Sequence, residues 1–190
     1  MKPKDQQNII VISGPSGAGK GVLIDFLLKK LDVLELAVSA TTRKPRVGEV
    51  DGKNYYFLSE DMFKQYSEQE KFIEWCSVHG YFYGTLFEEF DRIHNSGNIV
   101  LLEVDTKGAE KVSALYPEAL TLFIAPPDLM VLKSRLIERN TETEEQIKRR
   151  LETAEEEMKK IEDYDYVLFN DKLSDSSATL LALVKERFNV

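Results

Sequence analysis

The stretch Gly14-Pro15-Ser16-Gly17-Ala18-Gly19-Lys20 has the residue types and spacing of a phosphate cradle. Glycines at 14, 17 and 19 let successive backbone N–H groups converge on an anion. A lysine at position 20 supplies a mobile point charge for β and γ oxygens of a polyphosphate. The full pattern asks for a hydroxyl after the lysine. This chain has Gly21 and then Val22, so neither position carries one. A second group of chemistry-bearing residues lies in SATTRKPRVGEVDGKNYYF, residues 39–57. Arg43 and Arg46 flank the stiffening Pro45, and two guanidinium forks suit a phosphate because arginine binds it bidentately. Tyr55 and Tyr83 are further candidate donors to the same group. A third set, Arg135 and Arg139, is spaced to share one face of a helix, with Arg150 on the next predicted helix. Ion pairing with Glu138, Glu142 or Glu145 is the alternative reading of any one of these three, and a solvated face is the alternative for the basic clusters as wholes.

The elements around the cradle are those it needs. NIIVIS (residues 8–13) reads as a buried strand and residues 20–31 as a helix with Val22, Leu23, Phe26, Leu27, Leu28 and Leu31 on its apolar face. A strand, a glycine-rich turn and a helix N-terminus together make an anion site. Further on, Leu36–Ser39 and Tyr55–Leu58 read as short strands, with a polar loop over residues 41–54. Residues 59–70 read as a helix capped by Ser59. Residues 71–77 and 81–84 read as strands turning at His79-Gly80, and residues 85–96 as a helix. NIVLLEV (98–104), LTLFIA (120–125) and residues 166–169 read as strands. Helices are expected over 106–115, 128–139, 142–164 and 174–188, the long one opening on a Thr141–Glu144 capping box. Apolar strands alternating with helices indicate an α/β fold, a parallel sheet covered on both faces. The short aromatic strands between Ser39 and Thr85 read as an inserted lobe over the strand ends.

With 190 residues, 43% of them hydrophobic and 31% charged, the chain suits one globular domain with a substantial core. The net charge of −8 argues against a general nucleic-acid binder. No apolar run approaches a membrane span, the N-terminal residues do not read as a signal peptide, and the single Cys76 excludes an internal disulfide. The expectation is a reduced, cytoplasmic protein with no membrane partner, a buried rather than reactive Cys76, and a monomeric or homodimeric state.

The motifs also carry a resemblance. Thr41-Thr42-Arg43, Arg46, Glu49, Gly52, Tyr55 and Phe57 stand at the spacing of the guanylate kinase signature. Phe72–Trp75 (FIEW), Tyr81–Thr85 (YFYGT), Leu101–Asp105 (LLEVD), Leu132–Leu151 and Tyr164–Asp171 (YDYVLFND) follow in order over nearly the whole chain. The chain therefore resembles guanylate kinases, P-loop nucleoside monophosphate kinases. The resemblance implies a P-loop NTPase-type parallel core (about 1–37, 86–127 and 155–190), an inserted GMP-binding lobe (about 38–85) and a helical lid (about 128–154). It implies transfer of the γ-phosphoryl of ATP to GMP, with Mg²⁺ accompanying ATP. Gly14 through Gly21 and Asn170 would meet ATP. Ser39, Arg43, Arg46, Tyr55, Glu74, Tyr83, Thr85 and Asp105 would meet GMP, Glu74 reading the guanine. Lys20, Arg135, Arg139 and Arg150 would stabilise the transferring group.

Glu74 makes physical sense in that role. A carboxylate accepts from guanine N1–H and the 2-amino group, whereas adenine offers a lone pair at N1. The missing hydroxyl at Gly21 implies that Mg²⁺ has no direct protein ligand and reaches Asp105 or Glu103 through water. Two smaller departures are Lys107, where the family usually has Gln, and Asn140, where it has Gly. The rival classes are a non-catalytic guanylate-kinase-like interaction domain and a kinase of another phosphorylated acceptor. Retention of Lys20, Arg43, Arg46, Glu74 and Arg135 argues against the first, and Glu74 with Ser39 against the second.

Overall fold

The structure is a computed structural model and describes residues 8–78, 80–138 and 143–190. Its centre is a strand with no exposed residue. β1 (Ile9–Ser13) is wholly buried because parallel neighbours flank it on both sides and helices cover both faces. Alternate side chains point to opposite faces of the sheet. Ile10 and Ile12 join a core with Leu23, Ile24 and Leu27 of α1 (Lys20–Lys30) and Leu180 and Val184 of α7 (Leu173–Phe188). Ile9 and Val11 join another with Phe90 and Ile93 of α3 (Phe87–Asn95) and Ala109 and Val112 of α4 (Thr106–Leu115).

The remaining strands of this sheet are β2 (Leu34–Leu36), β7 (Ile99–Glu103), β8 (Leu120–Ala125) and β9 (Tyr166–Phe169). The order is β2-β7-β1-β8-β9, and every pair is parallel. A second, four-stranded sheet has the order β4-β3-β6-β5. It comprises β3 (Ala40–Thr41), β4 (Tyr56–Phe57), β5 (Phe72–Val78) and β6 (Tyr81–Leu86), with α2 (Glu60–Glu68) against it. Phe63 of α2 stacks on Phe72 and Phe82 at 4.4 and 5.4 Å between ring centroids, giving this sheet its own small core. Two further helices, α5 (Leu129–Glu138) and α6 (Glu144–Met158), pack through Leu132, Leu136, Ile147 and Ala154.

Several elements differ from the sequence reading. The strand expected over 36–39 ends at Leu36, and the next, Ala40–Thr41, runs into the start of the expected loop. The chain crosses from one sheet to the other between them. The helix expected over 142–164 ends at Met158 and is followed by a 3-10 turn, Ile161–Asp163. Its capping box is formed by Thr143 and Gln146, two residues later than the expected pair. Thr141 and Glu142 lie outside the described residues, as do His79 and Asn140. Ser59 caps α2 as expected, accepting from the Met62 N–H at 3.1 Å. Val22 departs from the apolar face assigned to it and is 54% exposed, while Ile24 takes the buried place.

The glycines differ in what they tolerate. Gly14 has φ +134°, and a Cβ there would run into the Ile124 carbonyl of β8. Gly21 is helical with open space where a Cβ would stand. Gly14→Ala is therefore expected to destabilise the protein by more than ~2 kcal/mol through strain and displacement of β8. Gly21→Ala should be neutral or stabilising by up to ~1 kcal/mol from helix propensity. Urea unfolding of the two variants checks both, and equal effects would contradict the contrast.

Candidate functional site

The ends of β1 and β7 lie side by side. Ile12 is in register with Glu103, and the Val104 N–H donates to the Ile12 carbonyl at 3.1 Å. The loop leaving β1 and the acidic turn leaving β7 therefore begin at the same edge. The loop runs through Gly14 and Gly17 to Gly19, all at positive φ, into the N-terminus of α1. The Lys20 ammonium lies back over this loop, donating to the Gly14 carbonyl at 2.6 Å and the Pro15 carbonyl at 3.2 Å. Ala18 is buried beneath it.

The α5–α6 pair sits directly on the loop. A Cβ on Gly17 would come within 2.9 Å of Leu132 Cδ1. Arg135 donates to the Asn170 carbonyl at 2.8 Å and the Ala18 carbonyl at 3.5 Å. Asn170 Nδ2 donates to the same Ala18 carbonyl at 2.8 Å. Arg150 Nη1 is 3.3 Å from Ser16 Oγ. The ion pairs considered for these arginines are not what holds Arg135. Guanidinium donors reach backbone carbonyls of the cradle and of the loop after β9 instead. Arg149 does pair with Glu145 on the surface, and Arg139 lies outside the described residues. Between these parts is a cavity of about 370 Å³ lined in part by Gly19, Val22, Arg135, Asn170 and Leu173. Val22 leaves the core to form a wall of it. Asn170 is buried, and its Oδ1 accepts no hydrogen bond among the described residues.

On the smaller sheet, Arg43 is gripped end-on by Glu49. Its two terminal nitrogens donate to the two carboxylate oxygens at 2.9 and 2.8 Å. Its guanidinium carbon lies 5.2 Å from the centroid of Tyr55, which meets Tyr83 edge-on at 6.0 Å. Glu49 also accepts from the Arg46 N–H at 2.7 Å. The Arg43 side chain, then the Arg46 amide, hold the Glu49 carboxyl down at about 2. Glu49 appears in the sequence only as a signature residue. Its function here, fixing Arg43 and the turn at Arg46 together, becomes visible only in three dimensions.

Glu74 is 4% exposed, on β5 beside a register irregularity. Its Oε1 accepts from the Thr85 hydroxyl at 2.8 Å. A Cβ on Gly108 would be 3.0 Å from its Oε2, so the carboxylate lies against the start of α4. Asp105 caps that helix, accepting from the Gly108 N–H at 2.7 Å. Burial is the main reason the Glu74 carboxyl is raised to about 7, and the Asp105 charge adds to it. The Thr85 hydrogen bonds and Lys111 oppose the rise. Cys76 is half-buried where the sequence reading expected a buried position; burial and Asp105 push up its thiol, in keeping with an unreactive cysteine. Ser39 lies between the sheets, its carbonyl accepting from the Tyr56 N–H at 2.9 Å.

The guanylate kinase family profile matches residues 6–187. A guanylate kinase of Caldanaerobacter subterraneus subsp. tengcongensis is 45% identical over 97% of this chain and 89% of its own length. One from Helicobacter pylori is 40% identical over 94% of this chain and 86% of its own. The chain belongs to the guanylate kinase family. The crystal structure of guanylate kinase from Anaplasma phagocytophilum superposes with a TM-score of 0.76 at 27% identity, covering 95% of this chain and 87% of that one. The five-stranded parallel sheet with helices on both faces is the P-loop core of guanylate kinases.

The Glu74 carboxyl sets a pH dependence of stability in this guanylate kinase family member. Its folded-state value is raised from an ordinary 4.5 to about 7, so folding favours the protonated form. The associated stability is fully present below the unfolded value and is lost as pH rises through about 7. Glu74→Gln mimics the neutral form. It is expected to gain about 1–3 kcal/mol on the wild type between pH 5 and pH 8, read by urea unfolding at both. A difference independent of pH would show that Glu74 is ionised in the free fold.

Proposed function

We propose that this protein transfers the γ-phosphoryl group of ATP to GMP, giving ADP and GDP. The observation supporting it most directly is a buried carboxylate, Glu74, beside the same β7 terminus that abuts the phosphate loop. Guanine offers that carboxylate two N–H donors, at N1 and the 2-amino group. Adenine offers it none at N1 and would leave it buried and unpaired. The named relatives, guanylate kinases over most of their length, favour catalysis over a non-catalytic interaction domain.

In this reading residues 38–85 form the GMP-binding lobe and residues 128–154 the lid, and the remainder is the core. Ser39, Thr85 and Asp105 surround the base with Glu74. Arg43, Arg46, Tyr55 and Tyr83 receive the GMP phosphate. Backbone amides of Gly14–Gly21 and the Lys20 ammonium hold the donor phosphates, and the cavity beside Val22 and Asn170 takes the adenine. A GMP phosphate oxygen bonds to the γ-phosphorus, and the bond from that phosphorus to the β,γ-bridging oxygen breaks, its electrons leaving with ADP. Arg135, Arg139 and Arg150 supply positive charge around the transferring group, a contribution that can reach roughly 10³-fold or more in rate. No side-chain nucleophile takes part, and exclusion of water suppresses ATP hydrolysis.

Among the described residues the side chains do not make a Mg²⁺ cage. Gly21 and Val22 lack hydroxyls, Asp105 is engaged as a helix cap, and no three metal-ligating side chains converge among the described residues. They do suit a metal that arrives on the ATP phosphates and keeps its waters, with Glu103 or Asp105 accepting from those waters. When bound, Mg²⁺ neutralises charge on the β and γ oxygens. The open space at Gly21 admits a serine. Gly21→Ser is expected to lower the Mg²⁺ concentration for half-maximal rate and for half-maximal nucleotide binding, by roughly 2–5-fold, one added weak ligand. An unchanged requirement would show that no ligand is missing there.

The reaction itself is tested by ADP release with GMP, AMP, CMP and UMP as acceptors. GMP is expected to be preferred by ~10³-fold or more in kcat/KM. Glu74→Gln should raise the KM for GMP and narrow that gap. AMP turned over as well as GMP would end the guanine reading. ATP binding without turnover of any acceptor would favour the interaction domain.

A further inference from the structure

The chain crosses between its two sheets twice, and one buried carboxylate meets both crossings. Outbound, the Ala37 N–H still donates to Leu101 of β7 at 2.9 Å, whereas the Ser39 carbonyl already accepts from Tyr56 of β4. Val38 is the single residue between them, and its N–H donates to Glu89 Oε1 at 3.0 Å. Inbound, β6 ends at Leu86 and α3 starts at Phe87, two residues before Glu89. The other carboxylate oxygen, Oε2, accepts from the Tyr56 hydroxyl at 3.0 Å. Arg92 closes the set, donating to Oε2 at 3.0 Å and Oε1 at 2.9 Å, and reaching Glu35 of β2 at 2.7 Å. Glu89 is 3% exposed. Burial opposes its ionisation, yet Arg92, Val38 and Tyr56 together hold it below the usual carboxylate range.

These partners stand next to residues with work to do. Val38 precedes Ser39, and Tyr56 follows Tyr55. We propose that Glu89 is a positioning residue for the GMP half of the site, its carboxylate fixing Ser39 and Tyr55 against the core that carries Asp105 and the phosphate loop. The inference rests on the phosphotransfer reading above. It assigns Glu89 no contact with either substrate. An ionised acceptor with four donors from three places in the chain is a rigid joint, because removing any donor leaves charge less compensated in a buried place. Loosening the joint leaves the ATP cradle untouched, since no partner of Glu89 belongs to residues 14–21 or to the α5–α6 pair. The effect therefore falls on one substrate alone, which a general loss of stability does not do.

The test uses Tyr56→Phe, which deletes one hydroxyl, and Glu89→Gln, which deletes the charge. Isothermal titration calorimetry gives the Kd for GMP in the absence of ATP. Steady-state kinetics give KM for each substrate, and thermal melting verifies folding. Tyr56→Phe is expected to raise Kd and KM for GMP by roughly 3–10-fold, and Glu89→Gln by ~10-fold or more, one or several hydrogen bonds to a charged group. The KM for ATP should stay within about two-fold. Unchanged GMP constants in folded Tyr56→Phe overturn the proposal, as does a parallel rise for ATP and GMP. Should Glu89→Gln fail to fold, Tyr56→Phe decides alone. A wild-type chain that binds no GMP would remove the phosphotransfer reading and this inference together, an outcome distinct from the other two.

Discussion

The register between β1 and β7 fixes the arrangement of everything charged in this molecule. Ile12 opposite Glu103 starts the phosphate loop and the acidic turn from the same edge of a parallel sheet. In such a sheet every strand delivers its C-terminal end to one side, where helix N-termini also gather. β1 delivers Lys20 and its glycines, and β7 delivers Glu103 and Asp105. The smaller sheet then meets this edge rather than any other. The charge of Glu103 is felt by Tyr55, and that of Asp105 by Glu74 and Cys76. A one-residue slip between the two strands would exchange the side chains that β1 sends to the two cores and shift the loop against the acidic turn, so packing and site geometry are set together.

The cations at this edge are already oriented. Arg43 is held by both oxygens of Glu49, Arg135 by carbonyls at Ala18 and Asn170, and Lys20 by the carbonyls of its own loop. A guanidinium has five N–H donors, so one edge can be anchored while the other stays available to an anion. Such anchoring lowers the side-chain entropy that a phosphate must otherwise remove. It also explains how a chain with a net charge of −8 can receive polyanions. The relevant field is local, and the groups that anchor the arginines, a carboxylate at Arg43 and backbone carbonyls at Arg135, fix their direction.

Strands buried on both faces were legible because nothing but burial explains IIVIS or LTLFIA. The cradle was legible for the same reason as any sharp turn, since positive φ at Gly14, Gly17 and Gly19 demands glycine. Legibility failed where the decisive partner is distant. Nothing local in LELAVSA says that one sheet ends at Leu36 and another begins at Ala40. The junction is made by Glu89, 51 residues away from Val38. Two overlapping capping boxes begin at Thr141 and Thr143, and letters alone do not choose between them. Arg135 read as an ion-pair candidate because acids are near it in sequence, whereas its acceptors are backbone carbonyls, which sequence patterns do not reveal. Val22 had the right period for the core but sits where the helix face turns from the sheet toward the cavity.

Two acids, buried Glu74 and half-buried Glu157, are pushed in the same direction for the same reason. Glu74 and Glu157 are both raised, by burial first, and both feel Asp105. Glu157 is also opposed by Lys20, which places the C-terminal part of α6 within reach of the cradle's charge. Arg150 stands seven residues earlier on α6 and reaches Ser16 Oγ, with buried Ala154 between them. Seven residues are two helical turns, so these side chains share one stripe. That stripe presents a cation to the front of the loop and an acid toward its lysine. Sliding or tilting α6 therefore changes both ends of the stripe at once. A phosphate entering the loop attracts Arg150 and repels Glu157. Burial answers the repulsion, because a carboxyl already held above its usual range takes up a proton more readily than it would in water. The same low-dielectric surroundings that make the acids reluctant to ionise strengthen the attraction between loop and anion.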